Sequence, residues 1–153
     1  MGTYEVSRSI PIEADPARVH ALVNDFREWR AWSPWEDLDP ALERTYEGPH
    51  AGVGARYSWR GNRKAGEGSM EITSSTEQKI QVALTFLRPF KADNQVTFDL
   101  VPSSGGSTDV TWTMIGEQRG LMGLLGKVVP MDKLVGKDFE KGLGRLKATA
   151  ERT

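Results

Sequence analysis

The chain has 153 residues, with 20 Lys and Arg against 21 Asp and Glu, for a net charge of -1. The length suits one domain with a real core, and the charge balance excludes the basic excess of a nucleic-acid binder. With no cysteine in the chain, disulfides, thiolate nucleophiles and Cys-ligated metals are excluded. Residues 1–6 lack a basic region leading into an apolar stretch, and Val6 stands where a myristoylated chain wants Ser or Thr. The longest apolar passage, residues 120–129, is too short to span a bilayer and contains Lys127. The expectation is a soluble, cytoplasmic protein with no stable membrane insertion, organised as a single domain over residues 1–153.

Taken in chain order, residues 3–12 alternate, with Tyr4, Val6, Ile10 and Ile12 as the large apolar members, and read as a strand. Asp15-Pro16 then opens a helix, Asp15 as N-cap and Pro16 in the first turn. Val19, Leu22, Val23 and Phe26 follow at helical spacing. Trp29, Trp32 and Trp35 come next, and Pro34 disfavours helix at Ser33, so the last indole falls in a bend.

From Leu42 the period changes to two. Residues 42–48 are a short strand, and five further strands follow at 54–60, 67–73, 79–87, 94–101 and 108–115. Their inner faces carry Ala55, Tyr57 and Trp59; then Met70 and Ile72; Ile80, Val82, Leu84 and Phe86; Val96, Phe98 and Leu100; and Val110, Trp112 and Met114. The expected links are Gly61-Asn62, Ser74-Ser75 and residues 103–106. One wet face and short links describe an antiparallel meander rather than a parallel sheet. Residues 131–152 are helical again, with Val135, Phe139, Gly142, Leu143, Leu146 and Ala150 on one face. A sheet with one wet face must cover the other, and the helices are the available cover. The fold class is therefore α+β.

Gly136, Gly142 and Gly144 sit inside that last helix, at about 1 kcal/mol each relative to alanine. Two physical reasons fit: close helix–sheet packing, or room left for a ligand over the inner face.

The chain resembles the START-like, Bet v 1-like superfamily, within the polyketide cyclase/dehydrase-like group. The resemblance runs nearly end to end. It rests on residues 10–14 (IPIEA), 21–26 (ALVNDF), 32–35 (WSPW), 52–55 (GVGA), 66–72 (GEGSMEI), 110–112 (VTW) and 136–143 (GKDFEKGL). It implies a helix-grip fold, a curved antiparallel sheet wrapped around the long C-terminal helix with an internal hydrophobic cavity. The residues expected to line that cavity are Trp29, Trp32, Trp35, Tyr57, Trp59, Met70, Phe86, Phe98, Trp112, Met114, Met131 and Phe139. The resemblance implies no catalytic set.

The chemistry-bearing residues point the same way. His20 and His50 are 30 positions apart with no metal-ligand spacing, and His20 is expected on the exposed side of its helix. No nucleophile elbow or phosphate-binding loop is present. Glu67 and Glu71 fall on a polar strand face, and Asp138 and Glu140 are expected to pair with surface lysines. No catalytic residue, metal or cofactor is assigned. The partner expected is a small hydrophobic or aromatic molecule, lipid- or polyketide-like, oriented by Tyr57 and the indole N–H groups. Two alternatives stand beside it. One is a cyclase/dehydratase-type enzyme working by positioning. The other is a protein–protein module using residues 120–129 or the tryptophan cluster, the former also a candidate cavity lid.

Overall fold

The computed structural model describes residues 3–36, 38–88, 91–117 and 131–152. Seven strands form one antiparallel sheet: β1 (Thr3–Ile12), β2 (Glu43–Glu47), β3 (Arg56–Arg60), β4 (Glu67–Thr76), β5 (Lys79–Arg88), β6 (Ala92–Ser103) and β7 (Ser107–Glu117). The spatial order is β1-β7-β6-β5-β4-β3-β2, so the chain's first strand closes against its last. Helix α1 (Pro16–Val23) and a 3-10 turn (Glu28–Ala31) lie between β1 and β2, and the long helix α2 (Met131–Glu151) follows the sheet. This is the expected helix-grip α+β fold.

The sheet curves because β4 is irregular. Its register against β5 shifts between Glu67 and Gly68 and again between Ile72 and Ser74, and each bulge bends the strand. Gly68 also answers a steric demand, since a Cβ there would lie 2.5 Å from both the Thr85 carbonyl and the Trp59 ring. Only glycine lets the Trp59 indole cross β4 at that point.

Inner-face alternation is strict in the middle of the sheet. Val96, Phe98 and Leu100 on β6 and Val110, Trp112 and Met114 on β7 are all buried, while Gln95, Thr97, Thr111 and Thr113 between them are not. Helix α2 covers this face with Phe139, Leu143, Leu146 and Ala150, each almost fully buried. At about 1.5–3 kcal/mol for each large side chain, these residues supply much of the drive for folding.

Several local expectations are corrected. Ser74-Ser75 is not a turn: β4 runs on to Thr76, whose hydroxyl oxygen closes the hairpin by accepting from Lys79 N–H at 3.1 Å. Ser75 is drawn off by Asn24, whose Oδ1 accepts from its hydroxyl at 2.7 Å. Asp15 starts α1, but with its backbone carbonyl rather than its carboxylate. Strand β6 begins at Ala92, two residues before its expected start at Asn94, and Asn94 is buried on the inner face in phase with Val96.

Candidate functional site

Helix α1 is short, so its last carbonyls have no helical partner. Trp29 and Trp32 supply one each: Trp29 Nε1–H donates to Val23 O at 2.8 Å and Trp32 Nε1–H to Leu22 O at 2.9 Å. Both indoles are buried with their N–H groups paired. Trp35 leaves the next turn and donates to Asp138 Oδ2 on α2 at 3.3 Å. Trp59, at the other end of the sheet, donates to Ala65 O at 2.8 Å. Of the five tryptophans, Trp112 alone has an indole N–H that is buried without a hydrogen-bond partner.

Trp112 is also the hub of the aromatic core. Phe139 of α2 lies parallel to it, centroids 4.0 Å apart and planes 6° apart. Phe98 stacks beside it at 5.0 Å, and Trp32 and Trp35 meet it edge-on at 5.6 and 5.7 Å. Under α2, against this hub, lies a void lined by Trp29, Trp35, Met70, Leu84, Val96, Trp112, Met114 and Phe139. The space open to the centre of a water-sized sphere is about 10 Å³, the scale of a single water. All interatomic space between the walls, including space open to solvent, is about 210 Å³.

The expected lining residues divide into three groups. Trp29, Trp35, Met70, Trp112, Met114 and Phe139 meet at the void. Trp32 and Phe98 stand behind it, fully buried against Trp112 and Trp29. Tyr57, Trp59 and Phe86 form a separate aromatic row towards the β2 edge, Trp59 stacked on Tyr57 at 6.1 Å and edge-on to Phe86 at 5.9 Å. The side chain of Met131 and the segment 120–129 lie outside the described residues. Leu84 and Val96 complete the void; inner-face alternation was the one sequence signal they carried, and it does not separate void wall from filled core.

The helix glycines leave no open room over the sheet. A Cβ at Gly142 would come within 2.9 Å of both Pro34 Cδ and Trp112 Cζ3. One at Gly136 would strike the Arg8 guanidinium, 2.6 Å from its Cζ. Side chains fill both places, so close packing is the reason for these two glycines. Gly144 has nothing within 4 Å and meets no such demand.

Polar groups cluster away from the void. Glu36, which sequence reading missed, accepts from Arg44 Nε at 2.8 Å and from the Tyr57 hydroxyl at 3.1 Å. Burial first, and then the Glu36 carboxylate, push the Tyr57 hydroxyl well above its usual range. Tyr57 therefore holds its proton, already donated to Glu36, and is not the free donor expected. Nearby, the Arg27 guanidinium sits 4.7 Å over the Tyr46 ring.

His20 is half-buried rather than exposed, with Nε2 3.2 Å from Ser75 Oγ. His50 Nε2 lies 2.8 Å from Asp25 Oδ2. Glu140 pairs with Arg8 at 2.9 Å instead of a lysine, and Asp138 takes the Trp35 indole. Among the described residues no group of three or more His, Asp or Glu could hold a metal ion. None of their helices is long and apolar enough to cross a membrane.

The family model for polyketide cyclase / dehydrase and lipid transport matches residues 3–151, from the first strand to the end of α2. The chain belongs to this family. The START-like, Bet v 1-like recognition made from the sequence motifs stands with it. No curated protein matches the chain by sequence.

Solved structures share the family's fold at low identity. The Mll3558 protein from Rhizobium loti is 21% identical with a TM-score of 0.68, over 97% of this chain and 99% of that one. Ara h 8.0201 is 13% identical with a TM-score of 0.62, over 97% and 98%. DynU16, from the dynemicin biosynthetic locus, is 17% identical with a TM-score of 0.64, covering 96% of this chain and 47% of its own. At these identities the likeness establishes the fold alone.

Proposed function

We propose that this protein binds a small, mostly apolar molecule, aromatic or lipid-like, in the space between the sheet and α2, and that it acts as a carrier in the cytoplasm. The observation that carries this reading is the wall of the void, eight residues without a single titratable side chain. A general acid or base must come within hydrogen-bond reach of the reacting atom. The carboxylate and tyrosine that sit together inside the molecule lie elsewhere: Glu36 accepts from both the Tyr57 hydroxyl and Arg44. Methionines at two of the eight wall positions suit a pocket that enlarges around its guest, because their unbranched side chains repack readily.

The test is thermal unfolding against fatty acids, sterols, flavonoids and polyketide-like aromatics. A ligand at one hundred times its dissociation constant adds about 2.7 kcal/mol, which for a chain of this size raises Tm by about 5–10 °C. A shift confined to one chemical class supports the reading; no shift across the panel removes it. The family description covers cyclase/dehydrase and lipid transport alike, and turnover of the stabilising compound, followed by mass spectrometry, decides between enzyme and carrier.

A further inference from the structure

Apart from the Tyr46 hydroxyl at the β2 edge, two buried side-chain donors among the described residues have no acceptor, both in the inner wall of the sheet: Trp112 Nε1–H and Asn94 Nδ2–H. The residues are 1% and 6% exposed. Nearly all buried donors in folded proteins are paired, so two on one face require an explanation. They lie on adjacent strands, where the register runs Asn94↔Gly116, Val96↔Met114, Phe98↔Trp112. The void walls Val96 and Met114 thus separate them, and Leu84, a third wall residue, is the register partner of Asn94 on β5. At about 3.3 Å per residue the two positions are about 13 Å apart along the strands.

The Asn94 position is built, not incidental. The Tyr4 hydroxyl donates to Asn94 Oδ1, which fixes the amide and leaves its Nδ2 unused. A side chain at Gly116 would forbid this pair, since a Cβ there falls 2.6 Å from the Tyr4 hydroxyl. The other four indoles donate to protein acceptors, which sets Trp112 apart.

We propose that Asn94 and Trp112 are the polar contacts of the bound molecule, which is apolar over most of its surface and carries neutral acceptor oxygens of the ketone, ester or ether kind. This deepens the binding reading above and rests on it. A carboxylate is disfavoured because the void walls hold no cation to offset its charge. Arg8, the register partner of Trp112 on β1, is already paired with Glu140.

The test compares two probes of similar shape, 2-acetylnaphthalene and 2-isopropylnaphthalene, by calorimetric titration of the full chain. The quantity read is the ketone-to-hydrocarbon affinity ratio, in which differences of packing cancel. The expected ratio in the wild type is roughly tenfold or more, the scale of one or two hydrogen bonds to otherwise unpaired donors. In the double variant Tyr4→Phe/Asn94→Leu, which removes the donor without stranding the tyrosine, the ratio falls several-fold while the hydrocarbon still binds. Trp112→Phe lowers it independently and serves if the double variant does not fold.

Equal binding of both probes by the wild type overturns the acceptor inference and leaves the cavity reading intact. A ratio unchanged in both variants overturns the assignment to these residues. Binding of neither probe removes the cavity reading itself, and this inference with it.

Discussion

Alanine at Gly142 and alanine at Gly144 should move stability in opposite directions, although the sites are two residues apart on one helix. Both replacements recover the same helix-propensity term, about 1 kcal/mol. At Gly144 nothing opposes it, because no atom lies within 4 Å of the new Cβ. Gly144→Ala should therefore stabilise the protein by about 0.5–1 kcal/mol. At Gly142 the new Cβ meets Pro34 Cδ and Trp112 Cζ3, both at 2.9 Å. Neither can swing aside: one belongs to a proline ring, the other to an indole clamped by Phe139 at 4.0 Å. Overpacking of this kind costs about 1–3 kcal/mol, so Gly142→Ala should be destabilising by up to about 2 kcal/mol once the propensity gain is subtracted. The propensity term cancels between the two variants, and their difference measures the steric cost alone. Urea unfolding with matched slopes reads it directly. A Gly142→Ala protein as stable as Gly144→Ala would refute the close-packing account and restore room for a guest beside α2.

Three further outcomes follow from the same contacts. Tyr4, Tyr46 and Tyr57 are all the tyrosines of the chain, and burial raises each above 10.0. Their contribution to stability is complete below pH 10 and is lost as pH rises towards the folded-state values. Absorbance at 295 nm should thus stay low beyond pH 10 and then appear together with unfolding; a smooth titration centred near pH 10 in folded protein would contradict it. Phe139→Ala removes the fully buried partner of Trp112 and should cost about 3–5 kcal/mol. Added indole should recover part of that loss in a thermal scan, whereas no recovery would mean that the void collapses. Glu36→Gln breaks a pair whose side chains are 12% and 19% exposed. Its cost should be about 2–3 kcal/mol, just below that of a fully buried pair; a loss under about 0.5 kcal/mol in urea unfolding would show the pair to be screened.

The strands and both helices were legible because each announces itself by period. Two against 3.6 is decided by which residues face water, and the inner-face rows from Tyr57 to Met114 read directly as the buried face. The site was less legible because it depends on where individual N–H groups end. Nothing in the spacing of Trp29 and Trp32 says that their indoles close the carbonyls of Leu22 and Val23. Nor does it say that Trp112, in an equally apolar setting, is left unpaired. Asn94 did carry a signal: it stands two residues before Val96, in phase with Phe98 and Leu100, where a polar residue breaks the apolar row. Glu36 carried none, since its partners Arg44 and Tyr57 come to it through β2 and β3.

The bonds that hold α2 among the described residues bear on how the proposed ligand, larger than one water, would enter. Near its C-terminal end, Lys147 donates to Pro11 O at 3.2 Å, Arg18 to Thr149 O at 3.2 Å, and Glu151 accepts from Glu13 N at 2.8 Å. Towards the other end, among the described residues, the ties are the Arg8–Glu140 pair and the long Trp35–Asp138 bond at 3.3 Å. Phe139 stands between those two ties and faces the void. Under the binding proposal, displacing α2 near Phe139 while residues 145–151 stay in place would enlarge the void. Among the described contacts, the motion would break the Arg8–Glu140 ion pair, 26% and 61% exposed and of the kind worth under about 1 kcal/mol, and the weak Trp35–Asp138 bond. It would also unstack Phe139 from Trp112. The ligand must replace that aromatic contact, which is a physical reason to expect a flat, unsaturated guest.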